Sequence, residues 1–268
     1  MGKNYGNAEI KAMGQVGTLA GKVGQHLWPI LKPAILSGAI NLQKKFTTDA
    51  EIKTALRLGF FPQTTKSLIS NLNIGNVSKG ELAQLSAWDL KNIYPLFYQT
   101  AFGLLLDFPD ELMPEGPEEF SWPFCIPGVI SNDVVFQSGK LDIPRWKWTD
   151  KPLDSVLDLN RGRDAWMHSY VGLCRPNWEA DEDLKNLSAN DIEEKKINVM
   201  MLRERLILGV FLFWLTGDHL DRKTITLAGS RSLDGNVPNA YWNDDKLNVD
   251  WYNSDDAIDD LRSRQVVS

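Results

Sequence analysis

Few side chains in this sequence are placed to do covalent or metal chemistry. Asp164, His168 and Cys174 lie close along the chain, and a histidine beside a cysteine can generate a thiolate nucleophile. Their order matches no nucleophile signature, so structural roles are expected for both His168 and Cys174. The sequence has two cysteines, Cys125 and Cys174, and neither falls in a CxxC or Cys/His metal spacing; buried free thiols are expected. Asp255-Asp256-x-x-Asp259-Asp260 offers carboxylate oxygens to calcium but lacks the alternating ligands and the glycine of an EF-hand loop, so a solvated acidic face is expected there. Arg161-Gly162-Arg163-Asp164 is not a phosphate loop, and salt bridging within a loop is its expected role. His26, beside Trp28, and His219 are expected to be packed or solvated. No catalytic residue, metal site or cofactor is assigned.

The C-terminal segment points to recognition instead. From Ser232 to Asp260, 17 of 29 residues are Asn, Asp, Ser or Tyr. Such a bias usually accompanies disorder, yet Leu233, Val237, Ala240, Trp242, Leu247, Val249, Trp251 and Leu261 form an apolar skeleton through it. In Leu247-Asn248-Val249-Asp250-Trp251-Tyr252 apolar and polar residues alternate, which predicts a strand with Leu247, Val249 and Trp251 facing a core and Asn248, Asp250 and Tyr252 facing outward. Tyrosine supplies rigid amphipathic contact area, while Asn and Ser supply adaptable hydrogen bonds, as in antibody recognition loops.

The pattern Gly229-Ser230-Arg231-Ser232-Leu233-Asp234-Gly235-Asn236-Val237-Pro238, followed by Trp242-Asn243, Leu247-Asn248-Val249 and Leu261-Arg262-Ser263-Arg264, resembles the variable region of proteins diversified by diversity-generating retroelements. The upstream run Phe213 to Asp221, ahead of Thr224, Thr226 and Gly229, is similar to the helix-to-core passage of bacterial C-type-lectin folds. The resemblance covers residues 118–268, with the variable region at 231–264; the long Gly- and Ser-rich loop of some relatives is missing. In that family adenines are replaced during reverse transcription, so asparagine codons scatter. The resemblance implies that Asn236, Asn239, Asn243, Asn248 and Asn253 are unmutated positions. It implies equally that Asp234, Tyr241, Asp250, Tyr252, Asp255, Asp256, Ile258, Asp259 and Asp260 are one base change away from asparagine. All of these except Asp260 make up the implied ligand-binding set. It further implies a non-catalytic protein of a phage tail that binds a bacterial surface protein or glycan, assembled as a homo-oligomer with a trimer favoured. The alternative is an intracellular bacterial protein of the same fold with a regulatory role or one like that of formylglycine-generating enzymes, although no cysteine follows Cys174.

The elements that would carry this segment give an α+β class: a helical N-terminal module, 1–110, followed by a C-type-lectin-like domain. With 268 residues, 43% of them hydrophobic, a full core needs no disulfide or metal staple. Ala8 to Gln43 is helix-compatible, with Gly14, Gly17, Gly21 and Gly24 lining one face; oligomerisation or attachment to other tail or assembly proteins is the expected use. Helices are also expected at Thr48–Leu58 and at Lys79–Leu106, the latter kinked at Pro95. A proline-rich linker at Asp107–Pro127 leads to strands at Val129–Phe136 and Ile143–Trp148. A helix capped by Ser188 runs through the apolar stretch to Trp214 and stops at Thr216-Gly217-Asp218.

Charge is uneven. Residues 1–110 hold 11 basic and 7 acidic side chains, 111–230 hold 14 and 20, and 231–264 hold 4 and 8. The net charge of −6 argues against nucleic acid as a partner. No apolar run reaches the roughly 18 residues of a membrane span, and no secretory leader is visible. A virion tail is the expected location if the chain is phage-encoded, and the cytoplasm otherwise.

Overall fold

The computed structural model describes residues 72–128 and 130–268. The expected helices at 8–43 and 48–58, and residues 1–71 of the expected oligomerisation module, lie outside the described residues. The described chain is a mixed α+β fold. Its helices are α1 (Lys79–Leu82), α2 (Ala87–Phe97), α3 (Asn132–Phe136), α4 (Ala189–Glu194) and α5 (Leu202–Thr216). Its strands are β1 (Trp122–Ile126), β2 (Arg145–Lys147), β3 (Tyr170–Cys174), β4 (Ile225–Leu227), β5 (Val237–Asn243), β6 (Lys246–Tyr252), β7 (Leu261–Arg262) and β8 (Val266–Val267). They form two open sheets, one ordered β1-β3-β8 and the other β2-β6-β5-β4-β7.

Helix α5 is the hub. Leu206 through Leu212, apart from Gly209, are all buried, as the unbroken apolar run requires. Glu204 accepts the Met201 N–H at its N-terminus, and Gly217, at φ 77°, returns its N–H to the Phe213 carbonyl and ends it. On one side of α5, Phe211 stacks on Tyr94 of α2 with ring centroids 3.9 Å apart. The Tyr94 and Tyr98 hydroxyls then donate to the Pro123 and Cys125 carbonyls of β1. Residues from Val77 to Phe108 therefore share one hydrophobic core with β1, β3, β5 and β6.

Three expectations are corrected. Lys79–Leu106 is two helices, because Ser86 and Asp89 form a fresh capping box; α2 runs through Pro95 into a π-turn at Tyr98–Phe102 that Gly103 closes. The β-branched stretch ending at Phe136 is helical from Asn132. Ser131 caps it, and Asp133 is held by the Leu153 and Asp154 N–H groups. The helix from Ser188 also breaks, since Lys196 adopts φ 55° and the backbone at Val199 and Met200 bonds instead to the C-terminal segment and to Gly229.

The buried charged groups at the centre of the fold are paired. Asp221, fully buried, takes Arg205 Nε at 2.6 Å and Arg264 Nη2 at 2.5 Å, plus the Thr226 hydroxyl. Burial raises its pKa, but Arg264 and Arg205 outweigh that and hold the carboxyl below the ordinary range. The Arg163–Asp164 part of the expected salt-bridged loop is interior, with Arg163 forked onto Glu204. Both cysteines are buried free thiols.

His219 lies between the Phe213 ring and Trp242, stacked on the latter at 3.3 Å between centroids. Burial, aided by Arg222, lowers its pKa to about 4. The unfolded chain then binds more protons than the native one between pH 6.5 and 4, so this residue's contribution to stability is present above that window and lost as pH falls through it. After allowance for its partial exposure, about 1–2 kcal/mol is expected to disappear. Asp164, whose carboxyl burial lifts to about 6, acts in the opposite sense over an overlapping range. Denaturant titrations of His219→Phe beside the parent at pH 4 and 7 isolate the histidine: the variant should lose less stability on acidification, and equal losses would refute the assignment.

Candidate functional site: the outer face of the β5–β6 hairpin

Strands β5 and β6 pair antiparallel from Val237↔Tyr252 to Asn243↔Lys246. The two residues between the strand ends, Asp244 and Asp245, adopt φ 50° and 55°, the left-handed pair that a two-residue hairpin turn requires and that aspartate tolerates. The hairpin is interior to its sheet, with β2 along β6 and β4 along β5. Its backbone is therefore held from outside at Leu247, Asn248 and Val249 by β2 and at Asn239 and Ala240 by β4.

Alternation divides its side chains between two faces. Ala240, Trp242, Leu247 and Val249 face α5 and join the main core. Trp251 has the same parity but lies outside that cluster and is 40% exposed, which corrects the expectation that it is a core residue. Leu233, also expected in the skeleton, is 70% exposed in the turn before β5.

The opposite face carries Val237, Asn239, Tyr241 and Asn243 across from Tyr252, Asp250, Asn248 and Lys246. Two residues of the implied ligand-binding set are corrected here. Asn239 is fully buried between Val237 and Tyr241 on the strand, beside Leu227 of β4, and neither its amide oxygen nor its nitrogen has a hydrogen-bond partner. Asn248 is 9% exposed because its amide donates to the Asn243 and Lys246 carbonyls, tying down the turn. Composition marks these asparagines as polar, but their position in the ladder makes them structural.

Tyr241, Asp250 and Tyr252 are half-buried and come together. Burial raises both tyrosine pKa values, with Asp250 the next cause in each case. Asp244 adds to this at Tyr241, and Asp256 and Asp260 add to it at Tyr252. Beneath them a small apolar cluster of Ala189, Leu227, Val237 and Leu261 packs against Ile225 and Tyr252. One side chain missed by sequence reasoning belongs here. Trp146 on β2 is in register with Asn248, hence on the Tyr241 side of the sheet, and is exposed. The available signal was an aromatic flanked by Arg145 and Lys147 in a predicted strand.

The remaining members of the set flank this patch. Asp234 accepts the Ser232 hydroxyl and the Asn236 N–H, shaping the turn before β5. Asn253 donates backbone and side-chain N–H groups to Asp256, and Ser254 offers its carbonyl to the Asn190 N–H of α4, so the loop after β6 is anchored at its start. Asn243, Asp255, Ile258 and Asp259 are exposed, with Lys185 3.7 Å from Asp259. Structural roles are expected of His168 and Cys174, and their surroundings differ: His168 is exposed and stacks on Trp166. Cys174 is buried in β3, its thiol pushed up to about 12 by burial.

Chemically the patch is aromatic and acidic on a rigid floor. It offers stacking faces, phenolic donors and carboxylate acceptors, the means of non-covalent binding. Comparison of the chain with protein-family models, with curated proteins and with solved structures finds no match.

Proposed function

We propose that the chain is a non-catalytic ligand-binding protein with a C-type-lectin-like domain, whose segment 231–264 is diversified by a retroelement. In this reading it serves as a phage tail receptor-binding protein that recognises a bacterial surface protein or glycan. The supporting observation is the division of labour in the β5–β6 hairpin. Its ladder and inner side chains are committed to the fold, while Tyr241, Asp250 and Tyr252 stand on the other face, beside Trp146, available to contact a partner. Display on a symmetric oligomer through residues 1–110 would multiply weak contacts into avidity, by about 10²–10⁴.

A library randomised at Tyr241, Asp250 and Tyr252 tests the division. Most members should melt cooperatively, with Asp250 replacements costing about 0.5 kcal/mol and Tyr252 replacements about 1 kcal/mol. Selection against unrelated bacterial surface targets should yield different sequences at these positions. A matching library at Val237, Asn239 and Asn248 should be mostly unfolded. Equal losses of folding in the two libraries would defeat the reading. The encoding DNA provides a second check: a near-copy of codons 231–264 differing at adenines, beside a reverse-transcriptase gene, is expected.

A further inference from the structure

A cavity of about 420 Å³ opens between the short 3-10 turn Gly162–Ala165, helix α4 and the chain on either side of α5. This lies within the roughly 300–1,000 Å³ range of small-molecule pockets. Its walls include the Trp166 ring and the apolar side chains of Ile192, Val199 and Met201, while Arg161, Arg163, Arg231 and Glu193 supply its charge.

The charges do not balance. Arg163 is closed off: its Nε and Nη2 fork onto Glu204 at 2.6 and 2.8 Å, and its other donors reach Asn198 and the Val199 carbonyl. Arg231 donates to the Ser230 and Ala189 carbonyls, neutral acceptors that do not offset its charge, and shares the Glu193 carboxylate with Arg161. Arg161 Nη2 meets Oε1 at 2.5 Å and Arg231 Nη2 meets Oε2 at 3.2 Å. That single carboxylate is 57% exposed and screened by water, whereas the Arg231 side chain is 9% exposed. Two guanidinium groups against one carboxylate leave one positive charge beside an apolar wall, in a chain of net charge −6. Burial, followed by the nearby Arg161, lowers the Arg231 pKa, as expected of a cation with too little counter-charge.

We propose that this cavity binds a small organic monoanion, its carboxylate seated between Arg161 and Arg231 and its apolar or aromatic body lying against Trp166, Ile192 and Val199. A guanidinium fork matches a carboxylate in shape as well as charge. One unbalanced charge selects a monoanion, and the wall selects a ligand with an apolar end. Glu193 is then a competitor for the same two arginines. This site is separate from the hairpin face, and its test leaves Tyr241, Asp250 and Tyr252 untouched.

Calorimetric titration of the full chain with benzoate and hexanoate, with benzyl alcohol as the neutral match, tests the proposal. At least one of the two acids should bind saturably at a single site, and benzyl alcohol should bind about tenfold or more weakly than benzoate if benzoate is the binder. Arg161→Met should weaken the acid by about tenfold, and Glu193→Gln should tighten it several-fold by removing the competitor. Arg161 and Glu193 are both surface-exposed, and melting curves verify that the variants fold; Arg161→Lys, which keeps the charge, should retain part of the affinity. A purely structural role for the ion pair cannot produce the opposite signs of the Arg161→Met and Glu193→Gln effects. Absence of saturable heat from both acids up to about 20 mM, equal binding of the alcohol, or unchanged or weaker binding by Glu193→Gln would each overturn the proposal.

Discussion

Asp221→Ala is expected to cost about 3–5 kcal/mol, the penalty for removing one member of a buried ion cluster. The reason lies in what remains behind. Arg205 and Arg264 are each 1% exposed, and without Asp221 two guanidinium groups would face one another inside the core, with only the more distant influence of Glu179 on Arg205 and of Asp181 on Arg264 to offset them. The Thr226 hydroxyl would lose its acceptor as well. Asp221 also sits at φ 55° and uses its backbone twice, its N–H donating to the Trp178 carbonyl and its own carbonyl accepting the Trp242 N–H. Alanine tolerates that conformation less well than aspartate. The loss approaches the whole stability of a marginal domain, which runs to about 5–15 kcal/mol. Urea titration measures it through the midpoint. The charge-free triple variant Arg205→Met, Asp221→Ala, Arg264→Met should lie closer to the parent than Asp221→Ala alone, because it leaves no stranded cation. A single Asp221→Ala variant melting within about 2 °C of the parent would show that the cluster is not what holds this corner together.

Phe211→Ala is the second large effect, again about 3–5 kcal/mol, from lost transfer energy and the cavity left behind. Phe211 is 1% exposed, stacks on Tyr94 and meets the Phe97 ring edge-on at 5.4 Å. Its removal loosens α2 and α5 at the same point, so both halves of the described fold should feel it. The expected result is one cooperative transition at lower temperature, followed by near- and far-ultraviolet circular dichroism together. Two separated transitions, with residues 72–108 melting apart from 118–268, would contradict a shared core. Phe211→Leu should fall between parent and alanine variant.

The parts of the fold legible in the sequence are those where one local signal decides the outcome. The apolar run from Leu206 to Leu215 could only be a buried helix, and Thr216-Gly217 ends it as expected. The alternation Leu247-Asn248-Val249 correctly marks β6. Reading failed where distant backbone competes. Nothing local to Lys196 reveals that Met200 will bond to Arg264 and Gly229, which breaks the expected long helix. Trp251 satisfies the alternation rule, but strand parity says which side a residue faces and not how far the covering helix extends. Asn239 and Asn248 show the matching limit for the site. Composition identifies a polar residue, whereas burial depends on the neighbouring strand, here Leu227 for Asn239 and the turn carbonyls for Asn248. Trp146 was missed because its partnership with the hairpin is a parallel pairing across about a hundred residues, and no spacing encodes that.

The strand order has a consequence for evolvability. The two longest strands among the described residues, β5 and β6, are interior, while the borders of their sheet are the three-residue β2 and the two-residue β7. Short borders offer little free backbone for another molecule to zip onto. New aromatic or aliphatic side chains on the hairpin can therefore be sampled without creating a template for polymerisation.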